Sequence, residues 1–161
     1  TILFFMINNI EPYLTYENIY LIVNWGVIPF WLLMIVGPNH SLTRVLVHSV
    51  ISPLLLAIAY IFISYKIYLE GNFLEGFSLY LGIEDLYALF SNESFLLIFW
   101  LHFLSISLFI GSWITRDSIK YMIPRTFVAI PLIITYFSGP VGIVIYWFIR
   151  IFFSKKISFN D

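Results

Sequence analysis

Four long apolar stretches limit what this chain can fold into more than any other feature of its sequence. A bilayer core about 30 Å thick is crossed by roughly 20 residues of apolar helix. Four segments meet that length: Asn18 to Val36, Leu46 to Tyr68, Glu93 to Thr115 and Phe127 to Phe152. Gly37-Pro38-Asn39 closes the first, because a proline following a glycine cannot continue the helix. Pro53 lies near the start of the second, and Pro131 and Gly139-Pro140 interrupt the fourth. In lipid a proline's missing backbone bond has to be covered by neighbouring helices, so these positions point to the bundle interior, to a functional break or to a simple kink.

Composition agrees. Hydrophobic residues make up 61% of the chain and charged ones 11%, with mean hydropathy +0.94, against about 25% charged in soluble domains. So few charges cannot coat a soluble body. A net charge of −1 argues against a nucleic-acid binder, and the absence of cysteine removes thiol catalysis, thiolate metal sites and a disulfide framework. The expected fold is therefore all-α, a single polytopic membrane domain of four transmembrane helices. Between the second and third, Glu70 to Asn92 holds Ile83, Leu86, Tyr87, Leu89 and Phe90 at helical spacing with Glu84 and Asp85, the pattern of a short interfacial helix.

Topology is less determined. Four crossings put Arg44, Arg116, Lys120 and Arg125 on one side and Lys66, Arg150, Lys155 and Lys156 on the other, a tie under the positive-inside rule. The first stretch is preceded by no cation and followed by Arg44, which favours both termini facing away from the cytoplasm or stroma. The first stretch also lacks the basic leader of a cleaved signal peptide.

Polar residues at membrane depth are the candidates for function, since each is costly there and tends to face a partner or a cavity. Asn24 and Trp25 lie within the first stretch. Ser41, Arg44, His48 and Ser52 read as one polar stripe entering the second. His102 is central in the third, on a face shared with Ser94, Ser105, Ser112 and Arg116 and opposite Glu93, Ser107 and Gly111. Gly142, Tyr146 and Arg150 share a face of the fourth. Convergence of these faces would form a polar pocket in an aromatic bundle. His102 reads as a hydrogen-bonded core residue, a pigment or metal ligand, or an acid–base catalyst. Arg44 and Arg150 read as snorkelling anchors or pocket residues, and Trp25, Trp113 and Trp147 as interfacial belts. His40, His48 and His102 form no metal-ligand spacing, so no metal is predicted.

Three blocks carry a family resemblance. They are Asn24-Trp25-Gly26-Val27-Ile28-Pro29-Phe30-Trp31 with Gly37-Pro38-Asn39 and Leu42-Thr43-Arg44; Trp100-Leu101-His102-Phe103-Leu104 with Gly111, Trp113 and Asp117; and Ser138-Gly139-Pro140-Val141-Gly142. Together they resemble the ABA-deficient-four-like family of four-span membrane proteins, whose plant members are implicated in converting violaxanthin to neoxanthin. The resemblance implies a carotenoid as substrate or bound pigment, in a thylakoid, plastid or bacterial inner membrane. It implies His102 and Arg44 as catalytic candidates and Asn24, His48, Trp100 and Tyr146 as pigment-binding ones. Epoxide opening to an allene needs a proton donor at the epoxide oxygen and a base at the neighbouring polyene carbon. His102 matches the family's third-span histidine. Ser107 stands where the family has an aspartate, and Ser112 where bacterial relatives often have arginine.

The expected function is thus carotenoid handling, by xanthophyll isomerisation or by pigment binding. The alternative is a non-catalytic accessory subunit of a photosynthetic or respiratory membrane complex, packed against other subunits, carotenoid or chlorophyll through its aromatic faces.

Overall fold

The computed structural model describes residues 13–49 and 51–155, and every regular element among them is a helix. The tail from residue 156 on, with Lys156, lies outside the described residues. Three segments are long and apolar enough to cross a membrane: Tyr16–Val36, Ser41–Leu69 and Glu93–Lys120.

Each carries a break or an end that the local sequence explains. The first is α1 (Tyr16–Gly26) followed by α2 (Ile28–Val36). Pro29 has no N–H to give the carbonyl of Trp25, and the N–H groups of Phe30 and Trp31 both turn to the Val27 carbonyl, at 3.1 and 3.3 Å. The second is α3 (Ser41–Leu46), capped by His40 Nδ1 accepting from the Leu42 N–H at 3.3 Å, and α4 (Ile51–Leu69). Pro53 cannot donate to the Ser49 carbonyl, so the chain turns after Val47 and restarts. This corrects the expected stripe: Ser41, Arg44, His48 and Ser52 do not lie on one continuous helix.

A 3₁₀ helix (Phe73–Tyr80) and α5 (Ile83–Phe90) precede α6 (Glu93–Lys120). Asn92 starts α6 by accepting the Ser94 N–H at 3.0 Å. Helix α6 runs beyond the expected end at Thr115, because no glycine or proline intervenes between Gly111 and Pro124. It stops at Tyr121 and Met122, the latter at φ 53°.

The fourth apolar stretch departs further from a single continuous helix. Phe127 to Phe152 is not one helix but two, α7 (Arg125–Ser138) and α8 (Pro140–Ser154), hinged at Gly139 with φ 53°. A left-handed φ is cheap only for glycine, and Pro140 is preset for a helix's first turn. The helices fold back on each other. A Cβ on Gly142 would stand 2.6 Å from the Pro131 carbonyl oxygen, and the rings of Phe127 and Phe153, at opposite ends of the segment, lie 5.6 Å apart.

The chain divides into two compact units, one of residues 13–26 with Ala57–His102, the other Val27–Leu56 with 103–155. In the second unit α6 turns Leu104, Ser107, Leu108, Gly111, Ile114 and Ser118 inward, and α8 buries Gly142, Tyr146 and Arg150, the face read from sequence. Gly111 gives its space to Trp31: a Cβ there would stand 2.8 Å from the indole, whose ring meets Tyr136 edge-on at 5.5 Å. Lipid tails are as apolar as leucine, so close contacts of this kind hold helices together where the hydrophobic effect does not.

Candidate functional site

The first unit contains an aromatic cleft of about 440 Å³ between the C-terminal half of α4, the 3₁₀ helix, α5 and the start of α6. Seven of its fourteen lining residues are aromatic, Phe73, Phe95 and Phe99 among them, and the polar side chains are Tyr60, Ser64, Tyr80 and His102. Phe90 and Phe99 pack at 4.7 Å between centroids on its wall. The local sequence explains the shape. The 3₁₀ turn brings Gly76 within ordinary contact distance of Phe95, where a bulkier residue would close the space. His102 is exposed rather than buried, and it stands at the cleft as the single imidazole among apolar and hydroxyl groups. Among the described residues no carboxylate lines this cleft.

The other candidates of this unit lie elsewhere. Trp100 lines a separate cleft of about 470 Å³ with Tyr16, Tyr20, Glu17 and Glu93, its ring 6.2 Å from that of Tyr20. Asn24 is half-buried on α1 and lines neither cleft.

In the second unit, Arg44 is exposed in the last turn of α3. His48 Nε2 and Ser52 Oγ are buried without a hydrogen-bond partner among the described residues. Tyr146 is fully buried and its hydroxyl donates to Asp117 Oδ2 at 2.7 Å. The same oxygen accepts the Arg150 Nε–H at 2.7 Å. Arg150 donates again to the Tyr121 hydroxyl at 3.0 Å and stacks over that ring at 4.5 Å, while Trp113 meets Tyr146 edge-on at 5.7 Å. Arg150 therefore does not snorkel, and Trp113 packs against this network. Sequence reasoning had Trp113, Asp117, Tyr146 and Arg150 but missed Tyr121 and the network. The available signal was Asp117, a lone acid one turn from two cations and a tyrosine.

Among the described residues no group of three or more His, Asp or Glu could hold a metal ion. From residue 103 onward α6 buries the side opposite that of His102.

Residues 18–146 match the model of the family described as ABA DEFICIENT 4-like. The chain belongs to this family. No curated protein and no solved structure matches it. The match takes in both the aromatic cleft with His102 and the Asp117–Tyr146 bond, and it ends four residues before Arg150. In this ABA DEFICIENT 4-like chain, Ser107 is buried beneath the hairpin tip, its Oγ 3.5 Å from where a Cβ on Gly139 would stand. A small neutral residue fits there. An ionised carboxylate would need a partner. Ser112 donates to the Val47 carbonyl at 3.2 Å, tying α6 to the turn before α4.

Proposed function

We propose that the protein binds a xanthophyll, with an oxygenated end ring in the aromatic cleft against His102, and isomerises it there. The observation that carries this reading is the single imidazole in an otherwise aromatic and hydroxyl-lined cleft. The resemblance to neoxanthin-synthesis proteins supplies the substrate class. A volume of about 440 Å³ lies within the range of small-molecule sites, about 300–1,000 Å³, and suits one end ring with a stretch of polyene. Opening a 5,6-epoxide to an allene changes no atom count. The His102 imidazolium gives its proton to the epoxide oxygen as the C–O bond breaks, and the neutral imidazole then takes a proton from the adjacent polyene carbon. The imidazolium is restored and no cofactor is consumed.

The test is reconstitution of the purified full chain in liposomes with an epoxy-xanthophyll, read by pigment retention and chromatography of the products. Retention with conversion, both reduced in His102→Ala, supports the proposal. Retention without conversion removes the isomerase half. A chain that retains no pigment and migrates with a large complex in mild detergent fits the accessory-subunit reading instead.

The same reading includes a membrane placement of three crossings and a re-entrant hairpin. At 1.5 Å per residue, the 14 residues of α7 and 15 of α8 reach about 21–22 Å each, short of the bilayer core. The hairpin tip at Gly139 approaches Phe103 and Ser107, midway along α6, while Arg150 bonds Asp117 near its C-terminal end. Both ends of the hairpin thus share a level, and its buried tip satisfies the rule that irregular backbone at membrane depth must be covered by protein. Placed so, Arg44, Arg116, Lys120, Arg125 and Lys155 face one side and Lys66 the other. That breaks the tie of the positive-inside rule and favours the C-terminal end of α8 on the cytoplasmic or stromal side. The 3₁₀ helix and α5 expose Leu74, Tyr80, Ile83 and Tyr87 beside Glu75, Glu84 and Asp85, which supports an interfacial position for this segment.

A further inference from the structure

Charge is divided between the two units. Among the described residues the first holds Glu17, Glu70, Glu75, Glu84, Asp85 and Glu93 against Lys66. The second holds Arg44, Arg116, Lys120, Arg125, Arg150 and Lys155 against Asp117. Asp117 is committed to Arg150 and Tyr146, so it does not offset the exposed cations Arg44, Arg116, Lys120 and Arg125.

At this basic end lies a cleft of about 260 Å³, enclosed by the end of α2, the loop after it, the end of α6 and the start of α7. Its depth is apolar, built from Met34, Val128 and Leu132, and its rim carries Asn39 and Arg125. The exposed Arg125 guanidinium is held there by donating from Nη1 to the Val36 carbonyl at 3.3 Å. The cleft also meets the N-terminus of α7, whose N-cap Pro124 supplies no side-chain cap to the first turn, leaving its positive end open to an anion. Ser118 and Ile119, from the last turn of α6, also line it.

An apolar pocket with a cationic rim at the headgroup level of a membrane helix fits one kind of ligand. We infer that this cleft binds an anionic membrane lipid, the acyl chain against Met34, Val128 and Leu132 and the headgroup anion at Arg125 and the α7 N-terminus. The inference rests on the membrane placement above, not on the xanthophyll reading. Charge complementarity favours the anionic lipid over a zwitterionic one, since each cation near an anionic surface contributes about 1 kcal/mol, roughly fivefold in affinity. A free anion gains nothing from the apolar floor.

The test uses the full chain, extracted from vesicles of equal phosphatidylglycerol and phosphatidylcholine, with retained lipid counted by native mass spectrometry. Phosphatidylglycerol enriched at least about fivefold, with the enrichment lost in Arg125→Gln and largely kept in Arg125→Lys, supports the inference. Raising salt in the extraction reads the same electrostatics without a substitution, so a poorly folding Arg125→Gln does not spare the idea. Equal retention of the two lipids by the native chain overturns it, and so does enrichment that Arg125→Gln and high salt leave unchanged. Displacement by glycerol 3-phosphate at the concentration that displaces the lipid also overturns it, by showing an anion site without lipid. None of these readouts involves pigment. Accessibility of a C-terminal tag tests the membrane placement separately.

Discussion

Asp117 and Arg150 meet at 2.7 Å, with the arginine side chain 1% exposed and the carboxylate 11% exposed. The pair joins the last turns of α6 to the returning helix of the hairpin. Tyr146 donates to the same carboxylate oxygen, and Tyr121 accepts a bond from the guanidinium and lies under it, so the charges are embedded in hydrogen bonds. Such a pair adds little net stability by itself, but breaking one side leaves a charge without compensation.

Asp117→Ala is therefore expected to cost about 3–5 kcal/mol, and the double variant Asp117→Ala with Arg150→Met to recover much of that loss. Thermal unfolding in detergent, run as a double-mutant cycle, checks this. A single variant as stable as the native chain would show that the pair is not closed in the membrane.

The hairpin depends on Gly142. A methyl group there would meet Thr135 and the Pro131 carbonyl at distances real Cβ atoms do not tolerate, and two of the three contacts are backbone. Gly142→Ala should cost at least the ~1–3 kcal/mol of core overpacking, whereas Gly26→Ala, with nothing within 4 Å of the added carbon, should cost far less. Comparison of the two melting curves decides it.

In the proposed placement the hairpin returns, so the N-terminal end of α1 and the C-terminal end of α8 are expected on opposite sides of the membrane. Tags at the two ends should then be reached by a membrane-impermeant reagent from opposite faces. Labelling of both from one face would restore a fourth crossing.

His102 is exposed, so His102→Ala should leave stability within about 0.5 kcal/mol while lowering retained xanthophyll and abolishing conversion. Stability is read by unfolding and pigment by absorbance after purification. A variant that keeps native pigment and products removes His102 from the site.

Much of the fold was legible because bilayer thickness is a one-dimensional constraint. Runs of about twenty apolar residues announce membrane helices, and Gly37-Pro38 and Gly139-Pro140 announce where helices end, whereas Pro131 is carried inside α7. The site was legible only in part. The face Gly142–Tyr146–Arg150 follows from helical periodicity along one helix, and the structure buries it as expected. The destination of Arg150 does not, because snorkelling and pairing use the same residue near the same helix end. Likewise, a central His102 looks interior when only its own helix is considered, and the neighbours that would cover or expose it are distant in the chain.

Sequence alone determined the all-helical membrane character, the stop at Gly37-Pro38-Asn39, and the family to which the chain belongs. Tertiary structure decided that Phe127 to Phe152 folds back on itself at Gly139, that Asp117 closes on Arg150 and Tyr146, and that His102 opens onto an aromatic cleft. The reason is physical. Hydropathy and proline act within a few residues of themselves, and they are written locally. Whether Gly139 kinks a helix or reverses it depends on what Gly142 can approach, and that is a property of two helices at once.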